Sequence, residues 1–483
     1  MHLASRPRGK VRQSPSPMRL ASAFCLLALL GSAACTDQET EKVGSVRHIV
    51  YWEKWTDFEG EAMERVVDAF NAKEKARAKS EPGYRPIEVE KVTIARIEDK
   101  LLVASAGGNP PDVAGFYTYR VPSYADKGAL TDLTELAREA GLDRSQYVER
   151  YYDLSVYRGR VWGLPTTPAS VALHWNKRLF REAGLDPEKP PETLEQLDEM
   201  AEKLTKWEVT LPGGKKEVRS GYLTDVPASQ KRLLQLGFLP GEPDWWSYGW
   251  GFVFGGKLMA GSDKITALSP ENLRAYRWVA SYSKKIGVDD IKRFRSGFGN
   301  FGTAENPFLS SRLAMQIQGV WMYNFIKKFA DGMPWGAAPF PPPADRPDLR
   351  GAANAEADNL VIPAGSKHPQ EAWEFIRYVQ SQPTMEQLCL GQRKHSPLRQ
   401  VSDSFWAEHP NPYIRLFAEL GSLPSAWAAP QTGVWNEYAR ELNTFASKVQ
   451  SLRVTPEDGL RQVQETMQRS LDRENAVYAR RNE

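Results

Sequence analysis

The chain is poor in cysteine: of 483 residues only Cys25, Cys35 and Cys389 carry a thiol. Removal of an N-terminal leader leaves Cys35 and Cys389, and with Cys35 expected to be acylated no disulfide framework is expected to staple the fold. Cys389, in the apolar run EQLCLG, reads as a buried small hydrophobe. Charge of one sign is also lacking. Lys and Arg total 63 against 60 Asp and Glu, a net of +3, which leaves no electrostatic footprint for nucleic acid. Past the leader no run approaches 18 apolar residues, so the body offers no membrane helix. The histidines, at positions 2, 48, 174, 368, 395 and 409, lack metal-ligand spacing, and neither H-E-x-x-H nor G-x-S-x-G occurs. Neither a metal nor a cofactor is expected. Residues 297–302 fit G-x-G-x-x-G, but no strand leads in and no clear helix leads out. Residues 251–257 mimic a phosphate loop, but Leu258 stands where a hydroxyl would meet Mg²⁺. Both read as glycine-permitted turns. A pair of carboxylates brought together by folding, as a glycosidase needs, is not excluded by sequence.

What the chain has in surplus is aromatic surface, with 15 Trp and 18 Tyr in an otherwise ordinary globular composition. Several of these rings fall in loops. The length exceeds what one hydrophobic core serves, so two lobes are expected. The N-terminus has its own order: Arg6, Arg8, Lys10, Arg12 and Arg19, then an apolar segment from Leu20 to Leu30, then Gly31-Ser32-Ala33-Ala34. That is the layout of a secretory signal peptide over residues 1–34. Ala33-Ala34-Cys35 resembles the lipobox of bacterial lipoproteins, with Ser32 in place of the usual Leu. The resemblance implies a lipidated Cys35 heading a polar tether over 35–45. Met18 is an alternative start, because the lead before it is longer than export needs. The expected location is outside the cytoplasm, lipid-anchored to a bacterial membrane on its periplasmic or cell-surface side.

The body alternates strand and helix. His48 to Trp52 read as a strand, and Met63, Val66, Val67 and Phe70 recur at helical spacing. Ile97, Leu101 and Leu102 mark a second helix, ended by Gly107-Gly108 and Pro110-Pro111, and Asp112 to Phe116 form the next strand. Thr193 to Gln196 make a capping box. Ser269-Pro270 and Thr455-Pro456 place a capping hydroxyl before proline at the first helical position. Pro369 opens a helix with Ala372, Phe375, Ile376 and Val379 on one face, and Trp373 is expected in the core. Gly213-Gly214 reads as a hairpin turn. Such alternation predicts α/β lobes with largely parallel sheets and a ligand beyond the carboxyl ends of the strands. The exits Trp52-Glu53-Lys54-Trp55 and Phe116-Tyr117-Thr118-Tyr119-Arg120 are therefore candidates for a crevice.

The stretch YRGRVWGLPTTPASVALHWNKRLFREAGLDPEKPPETLEQLDEMAEKL, residues 157–204, resembles the family 1 extracellular solute-binding proteins, the maltose-binding-protein-like sugar-capture subunits of bacterial ABC importers. NPPDVAGFYTYRVPSYADKGALTDLT, NPFLSSRLAMQIQGVWMYN and NLVIPAGSKHPQEAWEFIRYVQSQPTMEQL follow the family pattern in the same order. The resemblance implies a two-lobed, class II-like periplasmic-binding-protein fold with the ligand between hinged lobes. The implied lobes are residues 46–168 plus 358–402, and 169–357 plus 403–483. The implied ligand contacts are Trp52, Glu53, Trp55, Phe116, Tyr119, Arg120, Thr167, Trp250, Trp321, Glu356, Asp358 and Trp435. Ala169 stands where some members have a carboxylate. The implied partners are a sugar or oligosaccharide, the transmembrane permease of an importer, and the membrane through the anchor. A monomer without catalysis is expected. The alternatives are a carbohydrate sensor or scaffold lipoprotein and a secreted carbohydrate-active enzyme.

Overall fold

A computed structural model describes residues 46–299 and 301–481. The signal peptide, Cys35 and the tether lie outside these residues. Seven strands build the central sheet: β1 (Arg47–Glu53), β2 (Ile87–Thr93), β3 (Val113–Tyr117), β4 (Leu164–Asn176), β5 (Met315–Gly319), β6 (Trp335–Ala338) and β7 (Ala355–Val361). Their order is β5-β4-β7-β3-β1-β2, and β6 also pairs with β4. The expected parallel pairing holds for β1 with β2 and with β3. The remaining pairs are antiparallel: β4 with β5, β6 and β7, and β7 with β3.

Strand β4 explains the architecture. It is 13 residues long and almost wholly buried. Its first half pairs with β7, and its second half pairs with β5 and β6. Leu164 at its start packs in a core with Ile49, Val66, Phe375 and Leu388. Val171, Leu173 and Trp175 at its end pack in a separate, larger core with Trp207, Phe238, Trp250 and Tyr438. A single strand thus leaves one core and enters the other. Segment β7 returns, from Ala353 in the larger core to Leu360 and Ile362 in the smaller.

The pairing of β4 with β7 is broken in the middle. Pro165 and Pro168 lie opposite Asn359 and Ala357, and the register shifts between Ala357 and Asn359. Proline donates no ladder hydrogen bond, and two in a central strand leave that ladder locally loose. Near the end of the chain Phe405 still packs in the smaller core, whereas Trp435, Leu442 and Leu460 belong to the larger.

The local signals act as expected. Met63, Val66, Val67 and Phe70 form the buried face of the helix Asp57–Ser80. The Thr193 hydroxyl accepts from Gln196 N at 3.2 Å, and the Gln196 side chain reciprocates at Glu192 N at 2.9 Å. Ser269 caps Pro270–Ile286 through Asn272 N at 3.2 Å. Gly213 and Gly214, both at positive φ, turn the chain between the paired strands Lys206–Thr210 and Lys216–Ser220. Trp373 and Cys389 are core residues. Among the described residues no helix is long and apolar enough to cross a membrane.

Burial of histidine makes the fold acid-sensitive. His174 is sealed between Trp335, Phe308 and Phe417, and burial pulls its pKa down to about 4. The unfolded chain therefore binds one more proton at this residue between its folded pKa and about 6.5. Stability is lost as pH falls through that window. The slope of unfolding free energy against pH, measured near pH 5.5, should be shallower in His174→Asn than in wild type by close to one proton, about 1.4 kcal/mol per pH unit. An unchanged slope would show that His174 titrates alike in both states.

Candidate functional site

The ends of β1 and β3 deliver two aromatic loops to the place where β4 and β7 pass each other. At the end of β1, Glu53 turns inward and is 1% exposed. Its carboxylate accepts the Tyr51 hydroxyl and the backbone N–H groups of Lys54, at 2.6 Å, and Trp55, at 3.1 Å. This carboxylate shapes the loop and projects the Trp55 ring. At the end of β3, Tyr117 meets Trp55 edge-on at 5.8 Å and stacks on Tyr119 at 5.2 Å. Trp55, Tyr117 and Tyr119 make one aromatic wall.

A second wall comes from the half built on the larger core. The 3-10 turn Asp244–Gly249 carries Trp245 and Trp246, 5.6 Å apart. Trp321 lies 6.0 Å from Trp246, and Phe301 and Phe325 extend the array at 4.8 Å from each other. Trp321 lies across the end of β5. A methyl at Gly319 would come within 2.3 Å of its ring, so glycine is required there for the ring to lie down. Between the walls is a cavity of about 710 Å³, floored by Ala169, Asn354, Glu356, Ala357 and Asp358. Fused rings expose broad apolar faces, and carboxylates at the floor accept hydrogen bonds, so the cavity suits a ligand with both kinds of surface.

The floor is charged yet compensated. The Asp358 carboxylate accepts the Trp55 indole N–H at 2.7 Å and lies 3.3 Å from Lys54 Nζ and 3.6 Å from Lys394 Nζ. Burial pushes its pKa up, but the two ammonium groups and the indole more than offset this and hold it below the usual carboxylate range. Lys394 Nζ also reaches Glu59 at 3.2 Å. Burial pulls the Lys394 pKa down, and the Glu59 and Asp358 carboxylates raise it above the ordinary value. Burial pushes Glu59 and Glu356 up. Glu356 is bound by the Ala429 N–H at 3.1 Å and the Asn354 amide at 3.4 Å. Among the described residues no group of His, Cys, Asp and Glu could hold a metal.

Of the residues marked in the sequence, the cavity brings together Trp55, Tyr119, Trp321, Glu356 and Asp358. Thr167 lies behind it, its hydroxyl 3.2 Å from Asp358 and 2.7 Å from Gln392 Oε1. Glu53 supports the loop from beneath. The others lie elsewhere. Trp52 packs on the core around Ile97 and Phe116, and Phe116 is itself sealed in it, 4.7 Å from Tyr124. Trp250 is held among Phe238, Trp278 and Phe340, and Trp435 among Tyr248 and Tyr438. Arg120 borders a different cavity of about 610 Å³, between residues 98–127 and 433–478. Trp245 and Trp246, five and four residues before Trp250, take the place expected for it. The sequence carried a cue: Val253 and Phe254 follow Trp250 at helical core spacing, whereas the tryptophan pair follows Pro243. Tyr117, in the strand exit already marked as a candidate crevice, lines the cavity as well, and Glu59 and Lys394 line it without having been singled out.

Comparison with known proteins agrees with this architecture. A family model for bacterial extracellular solute-binding protein matches residues 65–411. Over 190 residues the chain is 28% identical to the sn-glycerol-3-phosphate-binding periplasmic protein UgpB of Escherichia coli (strain K12), a match covering 38% of this chain and 39% of that protein. The matched stretch thus spans about two fifths of the length of that relative. Among solved structures, CpMnBP1 with mannotriose bound aligns with a TM-score of 0.69 and 26% identity, covering 87% of this chain and 99% of that one. The sugar-binding protein MalE from Xanthomonas citri shares the fold, with a TM-score of 0.67 and 17% identity, over 89% of this chain and 99% of that one. A chain that matches the family model across most of its length, carries two cores on strands that cross between them and aligns with these two-lobed structures belongs to the bacterial extracellular solute-binding proteins.

Proposed function

We propose that this protein captures a carbohydrate between its two aromatic walls and delivers it to the permease of an ABC importer, without transforming it. The observation that carries the reading is the pairing of opposed aromatic walls with buried carboxylates at the floor. Sugar rings have apolar C–H faces that suit Trp and Tyr planes, while their hydroxyls suit Glu356 and Asp358. The sugar named with CpMnBP1 supports the same class of ligand. A free anion such as sn-glycerol 3-phosphate, named with UgpB, suits this floor less well. Lys54 and Lys394 already face carboxylates, and a dianion entering there would have to displace them.

The reading extends to organisation. The passage of β4 and β7 between the cores supports hinged lobes at residues 46–168 plus 358–402 and 169–357 plus 403–483, with closure favoured by a ligand that touches both walls. Export with a lipid on Cys35 would keep a monomeric capture protein beside its permease. Thermal unfolding tests the ligand class. At 100 times its dissociation constant a ligand adds about 2.7 kcal/mol, a rise in Tm of about 3 °C for a chain of this size. The rise is expected with mannobiose, mannotriose or a related saccharide, and not with amino acids. Stabilisation by sn-glycerol 3-phosphate alone would replace carbohydrate with a phosphate ester as the ligand, and slow conversion of any saccharide would make the protein an enzyme.

Two substitutions separate wall from core. Trp321→Ala should weaken saccharide binding by about 2 kcal/mol, near thirtyfold, with the fold retained. Trp250→Ala should instead lower stability by about 3–5 kcal/mol. Equal losses of affinity and stability in both variants, measured by calorimetry and denaturant titration, would deny the distinction.

Gly319→Ala gives an independent check. Because its methyl would collide with the Trp321 ring, the substitution should lift that ring and reduce affinity, while Gly332→Ala, an exposed turn glycine, should leave affinity unchanged. Full affinity in Gly319→Ala would mean that the pose of Trp321 is irrelevant to binding.

A further inference from the structure

Lys394 is 2% exposed at its side chain, yet it stands far in sequence from every other group it serves. The helix Gln382–Gln392 ends with Arg393 at φ 56°, a left-handed turn closed by Lys394 N–H to Cys389 O at 2.9 Å. That turn sends the Lys394 side chain back into the cavity floor. There its ammonium meets Glu59 and Asp358 and stands 4.9 Å from the centroid of the Trp55 ring; Lys54 Nζ stands 5.0 Å from the same centroid. Asp358 itself occupies the register break between β4 and β7, and the Thr167 hydroxyl of β4 lies 3.2 Å from its carboxylate. A carboxylate at the loosest point of two connecting strands is therefore the acceptor that fixes the indole of the ligand wall. Buried ion pairs give little net stability over well-packed apolar groups, so geometry is the more consequential product of this one.

We propose that Lys394 is a positioning residue for ligand capture: by clamping Asp358 at the break between the connecting strands, it ties the pose of Trp55 to the arrangement of those strands. The proposal rests on the reading of the cavity as the carbohydrate site. It adds a route by which ligand and hinge influence each other. A sugar stacked on Trp55 favours the strand arrangement that keeps Asp358 against the indole and both ammonium groups. A twist at the break pulls that carboxylate away and frees the ring. The ligand thus has a differential contact with two arrangements, which is what a population shift requires.

The test is a double-mutant cycle joined to a ligand-free measurement. Lys394→Met, which keeps the stem and removes the charge, should weaken mannotriose binding about tenfold in the wild-type background and by less than about twofold in Trp55→Phe, because the residue acts through the ring. The indole N–H resonance of Trp55, assigned by its loss in Trp55→Phe, should move and exchange faster with solvent in Lys394→Met before any sugar is added. Additive losses in the cycle, or an unmoved Trp55 resonance, would overturn the proposal. If wild type does not bind mannotriose, the carbohydrate reading fails on that sugar while the resonance still decides the positioning role. If Lys394→Met does not fold, Lys394→Met with Glu59→Gln removes the ammonium together with its other carboxylate partner and leaves Asp358 in place; a moved Trp55 resonance relative to Glu59→Gln alone supports the role of Lys394, and an unchanged one overturns it.

Discussion

The interrupted antiparallel pairing of β4 with β7 is the constraint on which the rest of this molecule depends. Both strands are buried, and both carry chain from one core to the other. A continuous ladder would fuse the halves into one stiff sheet. A missing ladder would leave them as two domains on a linker. The observed pairing, with Pro165 and Pro168 withholding donors and a register shift at Ala357–Asn359, lies between these extremes. It keeps the cavity walls in register, and on the proposed reading it is the locus at which the lobes would move.

That same break explains where the charges are. Asp358 pairs with Tyr117 of β3 but has no opposite residue on β4, and an isolated buried carboxylate is expensive, so it must be met by cations and hydrogen-bond donors. Lys54, Lys394 and the Trp55 indole meet it. The loop after β1 is therefore anchored through its own cavity-lining ring, and Glu53 secures the backbone behind that ring. The wall that would receive a sugar and the strands that would bend are parts of one hydrogen-bonded unit.

Much of this organisation was legible in the sequence because it is local. Strand exits, caps and helix stripes depend on near neighbours, and the G-x-P to A-G-L-D stretch with its companions pointed to the two-lobed family. Trp55, Tyr119, Trp321, Glu356 and Asp358 were reachable because each sits at a strand or its exit. Trp250 and Trp435 were placed at the ligand by the family resemblance, against the local periodicity. Yet Trp435 leads Tyr438 and Leu442 at helical spacing, and Trp250 leads Val253 in the same way, so both belong to the core of their half. Phe116 sits mid-strand in a segment buried on both faces, where nothing alternates toward a ligand. Lys394 had no local signature. Its role exists only because an αL turn at Arg393 folds it across to β7, 36 residues earlier in the chain.

Charge matching also bears on selectivity. A binding floor with spare ammonium groups would attract any anion, and one with spare carboxylates would attract cations. Here the two most buried ammonium groups, Lys54 and Lys394, lie against Asp358 and Glu59, and Lys394 is held cationic by them despite its burial. A charged group that reaches this floor must break that lattice, whereas a neutral hydroxyl can accept from an ammonium or donate to a carboxylate already in place. Glu356, pushed up by burial and held by Ala429 N–H and the Asn354 amide, fits the same pattern of polar groups engaged before the ligand arrives. On the proposed reading, discrimination among neutral ligands would then pass to the aromatic walls. Their spacing decides which apolar faces can be covered at once, and a ligand too small to touch both would gain the contacts of one half without favouring the arrangement that joins them.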